Sequence, residues 1–345
     1  MRCRYFRGRL REAPLRPYTL SLVFQKNDAV AADAITVLQD FVAKTAEKGP
    51  DALVKEYLKI DNNCDSEATF HAFQANMTKN RYSDVFCRDS TRVKLTLDPS
   101  AGEYIHANYI NHPALLNKFI CTQGPLSSTV YDFWRMVFQE RVQSILMLCR
   151  PNEDGRPKCV VYWPQNVDDK LDFPSITVTH RGEGSDQFNT ITLIIELNSS
   201  FDTTGMTEAQ KLPLVVKLFR WTTWPDRGVP DKDTSWLVPI QLLDIVRNGP
   251  TVVHCSAGIG RTGSILVLEI ALQRIAQRKN VDLEQITRDL RRFRCQCVQN
   301  EVQYLYIHRI LVENSSMHVN LGEKYKEAAA KFLAAYDDKL KVNKD

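Results

Sequence analysis

The chain has 345 residues, 43% of them apolar and 25% charged, with a formal net charge of +4. Residues 1–30 carry seven basic and two acidic side chains, so the remaining chain is near −1. Overall charge therefore gives no case for nucleic-acid binding, and no apolar run reaches the roughly eighteen residues of a membrane span.

Nine cysteines are scattered without a CxxC pair, and Cys295 and Cys297 are too close for a usual zinc knuckle. With no secretory apolar segment, the reading is reduced thiols in a reducing compartment, cytoplasmic or nuclear. The composition fits a soluble globular chain with ample core, without internal repeats or a second domain.

Residues 1–28 are arginine-rich, with Pro14 and Pro17 and little periodicity. They read as a basic, flexible tail, able at most to make weak contact with an anionic surface. From Asp33 to Lys48 the apolar residues Ile35, Leu38, Val42 and Ala46 share a helical face, and Gly49-Pro50 stops the run. Further helices are expected over Asp51–Ile60 and Glu67–Gln74. Strands joined by turns follow through Asp89–Leu95, Glu103–Ile110 and Phe119–Leu126. A helix covers Thr129–Gln139, and Ser144–Cys149 is short and apolar enough for a buried central strand. Residues 173–220 alternate like antiparallel strands, with a hairpin tip at Arg181–Gln187. A helix over Thr234–Val246 ends near Asn248-Gly249-Pro250.

The stretch Thr251–Gly263, TVVHCSAGIGRTG, carries the chemistry. A β-prone run enters a glycine-containing loop and leaves through a helix over Thr262–Gln277. Gly258 and Gly260 let the backbone curl so that successive N–H groups point inward as an anion nest. The helix adds its own free N–H groups and the positive end of its dipole. The same field favours a thiolate at Cys255, and cysteine pKa values fall to roughly 3.5–7.5 in such settings. Arg261, six positions on, has the planar fork that grips two phosphate oxygens, which lysine lacks. A thiolate at the floor of a phosphate cradle implies covalent phosphoryl transfer. Thr262 offers a hydroxyl for the sulfur when it leaves. Helices over Val281–Phe293 and Tyr304–Glu313 close the body, and Glu323–Lys341 reads as an exposed amphipathic helix with Phe332, Leu333 and Tyr336 on one side, expected to fold back on the domain or fray in solvent, with partner docking the alternative.

The segment His254-Cys255-Ser256-Ala257-Gly258-Ile259-Gly260-Arg261-Thr262-Gly263 resembles the signature loop of the protein tyrosine phosphatases, of the tyrosine-specific, cysteine-dependent, non-receptor type. Lys79-Asn80-Arg81-Tyr82, Lys158–Pro164 and Trp224-Pro225-Asp226-Arg227-Gly228-Val229-Pro230 are similar to other segments of that family. The resemblance implies one α/β domain over 29–318, with a highly twisted mixed β-sheet flanked by helices, followed by a C-terminal helical tail over 319–345. It also implies hydrolysis of phosphotyrosine in proteins through a cysteinyl-phosphate. Cys255 is then the nucleophile, with Arg261 the phosphate clamp and His254 and Thr262 also counted among the catalytic residues. Asp226 is the general acid and base on a hinged loop anchored by Trp224.

By the same resemblance Gln299 places the hydrolytic water with support from Gln303, and Glu153 orients Arg261. Tyr82 walls a pocket too deep for phosphoserine, with Val85 beside it and Asp84 holding the substrate backbone. No cofactor or metal is implied, because the cradle supplies the positive charge. Three positions depart from the family pattern: His106 for asparagine, Gln296 for glycine and Asn300 for threonine. A dual-specificity or phosphoinositide phosphatase would use the same loop with a shallower or more basic pocket. A non-catalytic phosphotyrosine-binding module would be expected to lose Cys255, Arg261 or Asp226.

Overall fold

The computed structural model describes residues 28–61, 64–230, 237–247 and 249–342. The basic N-terminal stretch thus lies almost wholly outside the described residues, as does the expected start of the helix before Asn248.

The architecture is α/β, a mixed sheet flanked by helices. Nine strands run in the order β1 (Arg92–Lys94), β2 (Tyr104–Ile110), β3 (Phe119–Thr122), β11 (Thr251–His254), β4 (Ser144–Met147), β10 (Leu214–Arg220), β9 (Ile191–Leu197), β8 (Ile176–Glu183) and β7 (Lys170–Asp172). The four middle strands are parallel, with Val253 opposite both Cys121 and Leu146. The flanking pairs are antiparallel. Strands β3 and β11 are buried along their whole length. This is why they read as apolar runs, not as alternating ones. A two-stranded ribbon, β5 (Asn152–Glu153) with β6 (Arg156–Pro157), stands apart from the sheet.

The first helix, α1 (Asp28–Leu58), is broken at Gly49, whose φ of 66° and ψ of 170° are non-helical, and Pro50 restarts it. The expected helix over Glu67–Gln74 is shorter, α2 (His71–Ala75). Its first N–H groups, from His71 and Ala72, donate to the Asp89 carboxylate at 2.7 and 3.0 Å. A cap supplied from eighteen residues away leaves no local signal. The chain continues through α3 (Val130–Gln139), α4 (Glu208–Lys211), α5 (Val238–Val246), α6 (Gly260–Ala276), α7 (Leu283–Phe293), α8 (Glu301–His318) and α9 (Glu323–Val342). Helix α6 is buried on nearly every side, directly behind the loop that follows β11.

One expectation is corrected. The thiols are not all reduced: Cys64 and Cys295 form a disulfide with their Cα atoms 5.2 Å apart. Folding brings the segment after α1 against the end of α7, a proximity of 231 sequence positions that spacing alone does not show. Helix α9 takes the first of its expected placements, folded back on the domain. It packs on α1 and α8 and buries Ala329, Phe332 and Tyr336. Phe332→Ala should therefore lower unfolding stability by about 3–5 kcal/mol. The urea midpoint should fall at unchanged slope, and an unshifted midpoint would detach α9 from the core.

Candidate active site

The loop between β11 and α6 runs its carbonyls outward, and each finds a donor. The Cys255 carbonyl faces His254 Nδ1 at 3.1 Å. The Ser256 carbonyl accepts from the Gly124 N–H at 2.9 Å, and that of Ile259 from the Val298 N–H at 3.0 Å. Arg294 takes the remaining two, donating from Nη2 to Ala257 O at 2.9 Å and from Nε to Gly258 O at 2.6 Å. With the carbonyls held outward, the peptide planes turn their N–H edges toward the sulfur, as the Gly258 N–H does at 3.3 Å from Cys255 Sγ. Gly258 has φ 70°, and a Cβ there would collide with the Thr122 carbonyl. Only glycine fits both constraints.

Arg261, in the first turn of α6, is 2% exposed. Its two terminal nitrogens donate to the two Glu153 oxygens at 2.7 Å each. Nη1 also donates to the carbonyls of Leu148 at 2.9 Å and Trp224 at 3.0 Å. Burial works against the charge, but the Glu153 carboxylate outweighs it and holds the guanidinium protonated above its ordinary range. Glu153 owes its place to the β5–β6 ribbon, where it pairs with Arg156.

The cavity in front of this loop has a volume of about 360 Å³ and is lined by Tyr82, Asp84, Val85, Lys158, Asp226, Cys255, Ser256, Ala257, Gly260, Arg261, Gln299 and Gln303, with Arg156, Pro157 and Arg227. The structure thus gathers sequence-predicted residues scattered from 82 to 303 around one sulfur. The Tyr82 hydroxyl is 2.8 Å from Ser256 Oγ, which donates to the Lys158 carbonyl at 3.0 Å. The Gln299 N–H donates to Gln303 Oε1 at 3.0 Å. Asp84 and Val85 offer their backbone carbonyls to Gln296 Nε2 and His106 Nε2.

Asp226 lies between two cations, with one oxygen 3.0 Å from Arg261 Nη2 and the other paired with Lys158 Nζ. Burial pushes its pKa up, but Lys158 and Arg261 together outweigh it and hold the carboxyl below its usual range. Trp224 is buried and donates from Nε1 to the Gly228 carbonyl at 3.0 Å, closing the loop on itself.

Two predicted residues, His254 and Thr262, stand differently from expectation, whereas His106 is in the core as expected. His254 is not among the residues lining the cavity; it is fully buried behind the loop, and burial lowers its pKa to about 4. Facing a carbonyl, its Nδ1 carries the proton, so Nε2 accepts from the Tyr162 hydroxyl at 2.8 Å. It braces the loop as a neutral ring. The Thr262 hydroxyl is buried without a hydrogen-bond partner among the described residues, and the contact to sulfur comes from Gly258 instead. His106 is a core residue and lies below Val85, where burial and Arg294 hold its pKa down to about 3.

The sequence reading missed Arg294. It is fully buried and joins the loop to Asn108 Oδ1 at 2.7 Å. No sequence signal marked it, because it is one of several arginines near the end of α7. Arg156 and Arg227, exposed at the cavity mouth, were also not singled out. Among the described residues no group of three or more His, Cys, Asp or Glu is placed to hold a metal ion.

The chain matches the family model described as protein-tyrosine phosphatase over residues 76–313. It is 33% identical over 313 residues to receptor-type tyrosine-protein phosphatase F of Homo sapiens, covering 89% of this chain and 15% of that protein. The Rattus norvegicus protein of the same name is 34% identical over 286 residues, 81% of this chain and 14% of its own length. Receptor-type tyrosine-protein phosphatase eta of Mus musculus is 36% identical over 244 residues, 69% of this chain and 19% of its own. The chain thus spans under a fifth of the length of these relatives. They are receptor-type by name, so the expected non-receptor type draws no support from them. Among the described residues no helix is long and apolar enough to cross a membrane.

Replacing Lys158 by methionine removes one of the two cations that depress Asp226. The carboxyl pKa should then rise. Stability contributed by Asp226 is present above its unfolded pKa and lost as pH falls through the lower folded value, so Lys158→Met should narrow that window from below. A carboxyl ¹³C NMR titration of Asp226 in the ligand-free protein reads the midpoint directly, and an unmoved midpoint would remove Lys158 from the account.

Proposed function

The chain belongs to the protein-tyrosine phosphatase family, and on that premise we propose that it hydrolyses phosphotyrosine in proteins through a cysteinyl-phosphate. The observation that carries the reading is the Arg261 fork, fixed by Glu153 beside Cys255 at the floor of a cavity walled by Tyr82.

Cys255 Sγ attacks phosphorus as a thiolate while the bond to the phenolic oxygen breaks. Asp226 gives its proton to that oxygen, so tyrosine leaves neutral. The loop N–H groups and Arg261 hold the equatorial oxygens as charge spreads over them. The nucleophile needs no ordering step for its clamp, because Arg261 is already oriented. In the second displacement a water beside Gln299 attacks phosphorus, Asp226 takes its proton, and sulfur leaves as the thiolate. Gln303 holds the Gln299 backbone in place.

Depth favours the aromatic ester. Tyr82 is tied to the loop through Ser256, so the wall stands at a fixed distance from the cradle floor. A phosphorylated tyrosine has the reach and a flat ring to lie against that wall, and phosphoserine has neither. The lowered pKa of Asp226 is compatible with an acid role. A phosphate dianion in the cradle competes for Arg261 and adds negative charge beside the carboxyl, and both effects raise its pKa.

On a phosphotyrosine peptide, Cys255→Ser should lose turnover and keep binding. Asp226→Ala should lose about 10²- to 10⁴-fold in kcat and retain its substrate. The wild-type protein should turn over phosphotyrosine far faster than phosphothreonine in the same peptide. Comparable rates would favour the dual-specificity alternative, and an Asp226→Ala protein as fast as wild type would refute the acid assignment.

A further inference from the structure

Asn300 departs from the expected threonine and sits between two parts of the site. It is the N-cap of α8, with extended backbone at φ −150° and ψ 168°. Its Oδ1 accepts from the Gln303 N–H at 2.9 Å, a cap that asparagine, aspartate, serine and threonine can all supply. Its other arm has a separate use. Nδ2 donates to the Arg227 carbonyl at 2.8 Å, across 73 residues of sequence. Arg227 directly follows Asp226 and has φ 54°, in the left-handed region. The loop is thus held on both sides of the acid, by Arg261 on the Trp224 carbonyl and by Asn300 on the Arg227 carbonyl.

We propose that Asn300 is a positioning residue, a latch whose amide keeps the Asp226 loop against the site while its carbonyl oxygen caps the helix that carries Gln303. The proposal rests on the reading of Asp226 as the general acid. The two arms separate the two jobs. Threonine retains a capping oxygen and lacks a second donor. A cap alone would make Asn300→Thr nearly silent, whereas a latch makes it loosen the loop. One hydrogen bond of ordinary net strength shifts a closed-to-open ratio by about 2- to 12-fold.

The test compares wild type, Asn300→Thr and each of these with Asp226→Ala added, on a phosphotyrosine peptide. Asn300→Thr should melt at the wild-type temperature and lose about 2- to 12-fold in kcat, with a smaller change in KM. It should cost nothing further in the Asp226→Ala background, because the latch acts only through that carboxyl. Without substrate, amide exchange at Gly228 and Val229 should quicken by a similar factor. Wild-type kcat with unchanged exchange would overturn the latch, as would an equal loss with and without Asp226. An inactive wild type with quickened exchange in the variant would instead sink the phosphatase reading and leave the latch standing. Should Asn300→Thr fail to fold, Asn300→Asp keeps a cap acceptor and sets an acceptor against the Arg227 carbonyl. Wild-type exchange and kcat in that protein would equally overturn the proposal.

Discussion

A buried guanidinium needs a reason to stay, and Arg261 has one in the two oxygens of Glu153. A lone buried charge would be expelled or neutralised, and arginine cannot give up its proton. The fork-to-fork pair and two carbonyl acceptors hold both terminal nitrogens at 2% exposure. The positive charge is therefore fixed in direction before any anion arrives. Breaking such a pair from one side is commonly worth about 3–5 kcal/mol, so the site and the local fold stand on the same contact. This is also why the small β5–β6 ribbon exists apart from the main sheet: it carries Glu153 to the arginine.

The loop itself follows from a second constraint, that every buried backbone polar group needs a partner. An anion nest requires N–H groups facing in, which leaves the carbonyls facing out into the protein. In this fold the outward side is not solvent but a shell of donors. His254, Gly124, Arg294 and Val298 take the carbonyls of residues 255–259. Arg294 serves two of them at once and is itself held by Asn108. The cradle is thus shaped from behind. A substitution in that shell would act on the cradle without touching the cavity.

How much was legible in the sequence follows from the same distinction. The cradle loop, the Trp224–Pro230 loop and the apolar central strands were readable, because each is set by residue types at short fixed spacing. Glu153 was placed by its position before Lys158, and the structure puts it on Arg261. Arg294 was not legible, since its partners are carbonyls, which every residue has. The capping of α2 by Asp89 and the Cys64–Cys295 pairing depend on tertiary proximity and leave no local trace. For α9 the amphipathic pattern was seen, but a pattern does not say which surface receives it. The surface is the α1–α8 pair, brought together by the chain's two ends. The surroundings of His254 were hidden for a related reason: its place beside Cys255 in the chain does not say that it is buried against Tyr162 and Phe133.

The arrangement also makes the state of Asp226 depend on what fills the cradle. Its carboxylate takes one hydrogen bond from Arg261 and another from Lys158. A phosphate that seats on Arg261 must displace that oxygen. It would then leave the carboxyl with one cation fewer and a dianion as neighbour, so in the proposed mechanism a proton becomes favourable on Asp226 at the moment a leaving group needs it. Arg261 also donates to the Trp224 carbonyl, so on the proposed reading the residue that grips the phosphate also grips the loop that brings the acid. Binding, loop position and protonation are therefore linked through one guanidinium. A site wired this way has no need for an acid whose resting pKa is high. It needs only that the anion which binds be the one that upsets the balance.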